Sequence, residues 1–113
     1  MAVRPFRQQH GPIDSVGYRF EAEGRAIAYS TDVNRIPDES WPHLDGLDLW
    51  IVDCLRRTPH PTHSHLAQTL EWVRRARPAE AWLTHMDQSM DHDRLVAELP
   101  AGVSPGYDGR VWK

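Results

Sequence analysis

The sequence predicts an α/β or α+β domain built on a mixed sheet with its helices on one face, and three observations lead there. Residues 17–23 alternate bulky and charged side chains (Tyr18, Arg19, Phe20, Glu21), the signature of a half-buried strand. Residues 47–53 form a mostly apolar run, which reads as a strand buried on both faces. Between that run and the next apolar stretch, residues 81–83, Leu66, Leu70 and Val73 recur at helical spacing. A strand, a helix and another strand in that order build a crossover unit.

Taken in order, residues 17–23 and 26–29, separated by Gly24-Arg25, form a β-hairpin that ends at Asp32. Pro37 and Pro42 break the following stretch into a loop with room for one helical turn. The helix over residues 64–77 carries Arg74, Arg75 and Arg77 near its end, where cations suit the dipole, and Pro78 stops it. A short strand then ends at Thr84-His85, and a second helix covers residues 91–99. Asp108-Gly109 between residues 103–107 and 110–112 predicts a closing two-residue hairpin. There are no repeats, low-complexity tracts or linkers, so 113 residues make one domain.

Composition narrows the function classes. With 13 Lys+Arg against 16 Asp+Glu, a net charge of -3 gives no footprint for DNA or RNA. The single cysteine, Cys54, excludes an internal disulfide, and no apolar run has the length of a membrane span or a signal peptide. The expectation is a soluble cytoplasmic protein. Its apolar content of 40% and mean hydropathy of -0.62 are lean for a self-sufficient core.

Seven histidines are the other departure from the ordinary. His10 precedes the first hairpin, Asp32 follows it, and His85 follows a strand; strand ends are where sheet proteins place active sites. Imidazole and carboxylate together suit Zn²⁺, Mn²⁺ or Fe²⁺. Taken singly, each reads more readily as a surface or hydrogen-bonded polar group. Asp91, His92 and Asp93 look like a further ligand cluster, but the start of a helix accounts for them. Cys54 reads as packing, and Arg56 and Arg57 either steer an anion or are solvated.

Several segments, in one order over nearly the whole chain, resemble the metallo-β-lactamase superfamily. They are His10-Gly11-Pro12, Gly17-Tyr18-Arg19-Phe20, Ala28-Tyr29-Ser30-Thr31-Asp32, Trp50-Ile51-Val52-Asp53, Pro61-Thr62-His63, Leu83-Thr84-His85-Met86 and Tyr107-Asp108-Gly109. The nearest branch is the PhnP-like cyclic phosphodiesterases; the tRNA 3′-end nucleases are more distant. The resemblance implies a metal-dependent hydrolase of phosphodiesters such as cyclic phosphates. It makes His10, Asp32 and His85 ligands of two Zn or Mn ions, with Asp32 as the bridge. It makes His63 the non-ligand histidine at the scissile phosphate. By position alone, His65 in the first helical turn either only hydrogen-bonds or contacts substrate, and neither it nor His60 is read as a ligand.

The family's His-x-His-x-Asp-His motif has no match in these residues. The expectation is therefore the C-terminal half of an αββα sandwich, without the N-terminal half that carries most of the ligands. Two protein ligands per ion fall short of the three found in open catalytic sites, so the chain is expected to be inactive alone. Two alternatives stay open. One ion could gather His10, Asp32 and His85, or the chain could be a non-catalytic module that pairs its open sheet face with itself or with a partner chain. Trp50 and Trp82 are expected on that face.

Overall fold

The computed structural model describes residues 1–113. Six strands form one sheet in sequential order: β1 (Ala2–His10), β2 (Ile13–Ala22), β3 (Arg25–Ser30), β4 (Leu49–Asp53), β5 (Glu80–Thr84) and β6 (Val103–Pro105). The first three pair antiparallel and the last three join in parallel, so the sheet is mixed. A 3-10 helix (Asp38–Leu44), α1 (Leu66–Ala76) and α2 (His92–Glu98) fill the three parallel crossovers. Trp41, Leu44, Trp72 and Leu95 from these helices pack with Ala26, Ala28, Trp50, Val52 and Leu83 of the sheet, so all three lie on one face. No helix is long and apolar enough to cross a membrane.

The expected helices form with trimmed ends. Arg77 caps α1 in a left-handed conformation (φ 52°) just before Pro78, and its amide donates to Val73 O. Asp91 caps α2 by accepting from the Arg94 amide at 2.9 Å, which accounts for that acidic cluster. Along α1 the buried side chains are Thr69 and Trp72, with Leu66, Val73 and Ala76 partly covered.

One strand lies outside the expectations, and two expectations fail. β1 was invisible in a segment as polar as Ala2–His10 with Pro5 inside it; it lies at the sheet edge, where a missing amide donor is tolerated. The closing hairpin does not form. β6 is three residues long and pairs in parallel with β5; after Gly106 the chain leaves the sheet. There Arg110 lies 3.9 Å from the Trp82 ring centroid and Trp112 donates to Glu80 at 3.0 Å, so side-chain anchors replace a ladder. Finally, Trp50 points under the helices, where its indole donates to Ser30 Oγ at 3.0 Å.

Trp82 does lie on the other face, since it pairs in register with Ile51 and Ile51 with Tyr29. The C-terminal tail covers the β4–β5 part of that face. The β1–β3 part stays open, with Val3, Val16, Tyr18 and Tyr29 exposed by 40 to 51%.

Candidate metal centre

β1, β3, β4 and β5 run in one direction, so their C-terminal ends meet at one edge. His10 closes β1, Asp32 follows β3, Asp53 closes β4 and His85 follows β5. The turns that present Asp32 and His85 are strained: φ is 54° and 60°, in the left-handed region that costs a non-glycine residue energy. Of the four non-glycine residues with positive φ, these two meet in one cluster of polar side chains, and the others, Glu23 and Arg77, lie in a turn and at a helix cap.

The loop between β4 and α1 brings the remaining histidines. The Leu55 amide donates to Ser64 O and the Leu66 amide to Arg56 O, which folds residues 55–66 back over the sheet edge. Ser64 Oγ and Thr69 Oγ1 both donate to Asp53 O, fixing the loop and the start of α1 to the end of β4. Thr62 O then lies 2.7 Å from His10 Nδ1, and His63 Nδ1 lies 2.8 Å from Asp53 Oδ2. Because a carbonyl and a carboxylate only accept, both rings carry their proton on Nδ1 and present Nε2 outward. Asn34 braces the assembly, accepting from the Gly11 amide at 2.9 Å and donating to Pro61 O at 3.2 Å.

His63 is the hub. Its ring stands 4.8 Å from that of His10, 5.3 Å from His60 and stacks 4.7 Å from His85. Donor atoms of His10, Asp32 and His63 all lie within 4.8 Å of one another, as do those of Asp53, His63 and His85. His85 Nε2 is 4.0 Å from Asp32 Oδ1. His65 stands apart, as the N-cap of α1 with no capping side-chain bond. His60 is an acceptor, taking the Thr62 amide on Nδ1 at 3.1 Å; desolvation, then the charge of Arg56, push its pKa down.

Sequence reasoning gave Asp53 no role. It is fully buried; Oδ2 accepts from the Val33 amide at 3.2 Å and from His63, while Oδ1 has no hydrogen-bond donor and lies 3.6 Å from His85 Nδ1. The available signal was a carboxylate closing an apolar strand beside Asp32 and His85. The donors fall into two trios that share His63, and neither trio unites His10, Asp32 and His85. The neighbouring Cys54 thiol is pushed up to about 12 by burial, which makes it inert packing.

The donor set fits divalent metal. A buried carboxylate oxygen without a donor calls for a cation, and imidazoles fixed by Nδ1 hydrogen bonds leave Nε2 lone pairs for one, the arrangement that orients metal-bound histidines. His10, Asp32 and His85 would hold metal ions there, with His63 and Asp53 beside them.

Comparisons with known proteins bear on the fold. A new diphosphatase from the PhnP family is 35% identical with a TM-score of 0.90, over 96% of this chain and 41% of that one. The metallo-β-lactamase fold protein YhfI from Bacillus subtilis is 20% identical (TM-score 0.76; 97% and 48% covered). The short form of human tRNase Z is also 20% identical (TM-score 0.74; 98% and 42% covered). The chain thus spans between two fifths and one half of each of these proteins. No curated protein matches. The family model described as beta-lactamase superfamily domain matches residues 1–86, and with the six-stranded mixed sheet, its one-sided helices and the PhnP-family likeness, the chain belongs to the metallo-β-lactamase superfamily as a PhnP-like member.

Proposed function

We propose that this chain carries the proton-transfer pair and part of the metal site of a hydrolase that cleaves phosphodiester or phosphoanhydride bonds, cyclic phosphates among them. The observation that carries the reading is the Asp53–His63 hydrogen bond of 2.8 Å inside a ring of metal-binding donors. The diphosphatase at 35% identity supports a phosphate-bearing substrate.

His10, Asp32 and His85 would hold Zn²⁺ or Mn²⁺, which would supply positive charge against the negative charge developing on the phosphoryl oxygens. Asp53 holds the His63 ring and stabilises it when it is charged. His63 then carries a proton on Nε2 and delivers it to the leaving oxygen, a contribution of about 10²- to 10⁴-fold in rate. The stacked His85 ring and the Asp53 anchor restrict where that proton can go. His65, at the mouth of α1, is assigned a substrate contact.

The reading is tested with His63→Ala assayed on bis(p-nitrophenyl) phosphate and on a cyclic phosphate, in complex with the complementary part of a PhnP-family relative. The expected result is kcat lower by about 10²-fold or more at unchanged metal content. Loss of metal would make His63 a ligand instead. The chain alone is expected to self-associate and to show only trace turnover; the free cysteine and lack of a spanning helix fit a cytoplasmic enzyme.

The exposed Val16, Tyr18 and Tyr29 favour a second reading, a module that binds a partner chain or a second copy through the open face. Metal content separates the two: a chain that binds no Zn²⁺ or Mn²⁺ is the module.

A further inference from the structure

Asp32 carries a carboxylate of the candidate metal centre, yet that carboxylate makes no hydrogen bond within the chain, and His85 Nε2 lies 4.0 Å away. Its direction therefore depends on the backbone that carries it, which stands in the left-handed region at φ 54°. Fixing that direction means fixing the two planar peptide units that meet at Asp32 Cα. Side chains hold both. The carbonyl of the first unit, Thr31 O, accepts from Gln8 Nε2 at 3.1 Å. In the second unit, Asp32 O accepts from Ser15 Oγ at 2.6 Å, and the Val33 amide donates to Asp53 Oδ2 at 3.2 Å.

Gln8 and Ser15 face each other across the β1–β2 pair and are themselves joined, Gln8 Nε2 donating to Ser15 Oγ at 3.2 Å. Only one order of protons serves this network. Ser15 Oγ gives its single proton to a carbonyl and so accepts from Gln8, whose amide spends both N–H groups and leaves Oε1 without a donor. Gln8 is fully buried, and a buried acceptor without a donor costs free energy that an apolar side chain of similar size would not. Gly17 makes the room for it: a Cβ there would stand 2.4 Å from Gln8 Oε1 and 2.5 Å from the Phe6 ring. A glycine inside a strand and a half-satisfied buried amide each weaken the sheet as a sheet. What they provide is a donor aimed at Thr31 O from within the fold.

We infer that Gln8 and Ser15 are positioning residues for the Asp32 carboxylate. Neither touches metal or substrate. They clamp the peptide units on either side of Asp32, so that its carboxylate stands beside His10, His63 and His85 before a cation arrives. A ligand held in place beforehand loses less freedom on binding, and removing an orienting partner typically lowers metal affinity by about 10- to 100-fold. The inference rests on the reading of His10, Asp32 and His85 as metal ligands and adds to it the residues that aim one of them.

The test uses the whole chain. Zn²⁺ affinity is measured by calorimetry for the wild type, Ser15→Ala, Gln8→Leu and Ser15→Thr, and hydrogen exchange of the Val33 amide is followed by ¹⁵N NMR in EDTA. Ser40→Ala is the control, because Ser40 Oγ donates to Arg7 O on the same strand β1 without meeting the Asp32 turn. The expected result is Zn²⁺ affinity lower by about 10-fold or more in Ser15→Ala and in Gln8→Leu. Ser15→Thr, which keeps the hydroxyl, should stay near the wild type, and Ser40→Ala should match it. The Val33 amide should exchange faster in Ser15→Ala and Gln8→Leu only. Wild-type affinity in those two variants, or an equal loss in Ser40→Ala, would overturn the inference, because the network would then serve the strands and not the ligand. Should Gln8→Leu fail to fold, Ser15→Ala and Ser15→Thr decide alone. A wild-type chain that binds no Zn²⁺ sinks the metal reading and the positioning role with it, whereas wild-type binding that survives the loss of the Ser15 hydroxyl sinks the positioning role only.

Discussion

Replacing Asp53 by Asn should make the metal-free protein as stable as the wild type or more so. The carboxylate is fully buried, and an ion in that position costs several kcal/mol after relaxation. Its compensation is one-sided: Oδ2 accepts from the Val33 amide at 3.2 Å and from His63 at 2.8 Å, while Oδ1 has no donor. Asparagine in the same rotamer keeps an oxygen at the Oδ2 position and therefore both bonds. Each falls from a charge-assisted contribution of about 1.5–3 kcal/mol to a neutral one of about 0.5–1.5, a loss of roughly 2–3 kcal/mol in total. The new Nδ2 takes the Oδ1 position, and His85 Nδ1, 3.6 Å away, must close in to accept from it; with that bond made, and several kcal/mol of burial cost removed, the net change is about 0 to 2 kcal/mol in favour of the variant. At about 4 °C per kcal/mol for a domain of this size, Tm rises by roughly 0 to 8 °C. Thermal unfolding followed by circular dichroism at pH 7 in EDTA measures it. A Tm lower by more than about 4 °C would show that the carboxylate is a structural asset, fully paired without a cation, and would remove the main physical reason for placing metal here.

Two further outcomes are expected. Asp32→Asn should abolish the stabilisation that saturating Zn²⁺ gives the wild type, about 2.7 kcal/mol at 100 times Kd and read as a rise in Tm, because the amide lacks the charge a carboxylate offers a cation; an undiminished rise would remove Asp32 from the site. Val16→Glu combined with Tyr18→Lys should shift the chain toward monomer in light scattering without lowering Tm, since both side chains lie on the open face, and an unchanged mass would place self-association elsewhere.

How far the sequence revealed the molecule follows from which signals are local. The hairpin of β2 and β3, the apolar β4 and the periodic α1 announce themselves because each is made by neighbours in the chain. β1 does not: a polar edge strand containing Pro5 is held by pairing with β2, which no local pattern reports. The Asp108-Gly109 signal misled, because Gly109 does turn the chain (φ 81°), but Trp82 and Glu80 capture Arg110 and Trp112 before a ladder can form. At the site, His10, Asp32, His63 and His85 are legible through their places in family segments, and the fold groups the donors of His10, Asp32 and His63 and, around the same His63, those of Asp53 and His85. Asp53 was quoted within such a segment but given no role. What defines it is burial and a 2.8 Å contact with a residue ten positions away, both properties of the folded chain.

That dependence on the folded loops yields the sharpest test of how the centre is assembled. Gly11 has φ 60°, and a Cβ built on it would stand 2.6 Å from Thr62 Cγ2. Gly11→Ala therefore has two effects. The left-handed backbone costs an alanine about 1–2 kcal/mol, and Thr62 is forced aside. Thr62 O is the acceptor that fixes His10 Nδ1 at 2.7 Å, so displacing it frees the His10 ring to turn and to change tautomer. Losing such an orienting partner typically lowers metal affinity by about 10- to 100-fold, although no ligand has been touched. Adding Thr62→Ser separates the effects, because serine keeps the carbonyl and the hydroxyl but has no Cγ2. Zn²⁺ affinity measured by calorimetry should recover in the double variant, while the lower Tm caused by the backbone should persist. If Gly11→Ala lowers Tm and leaves Zn²⁺ affinity as it was, His10 is not held for metal by Thr62, and the hydrogen bond between them is only part of the loop's packing.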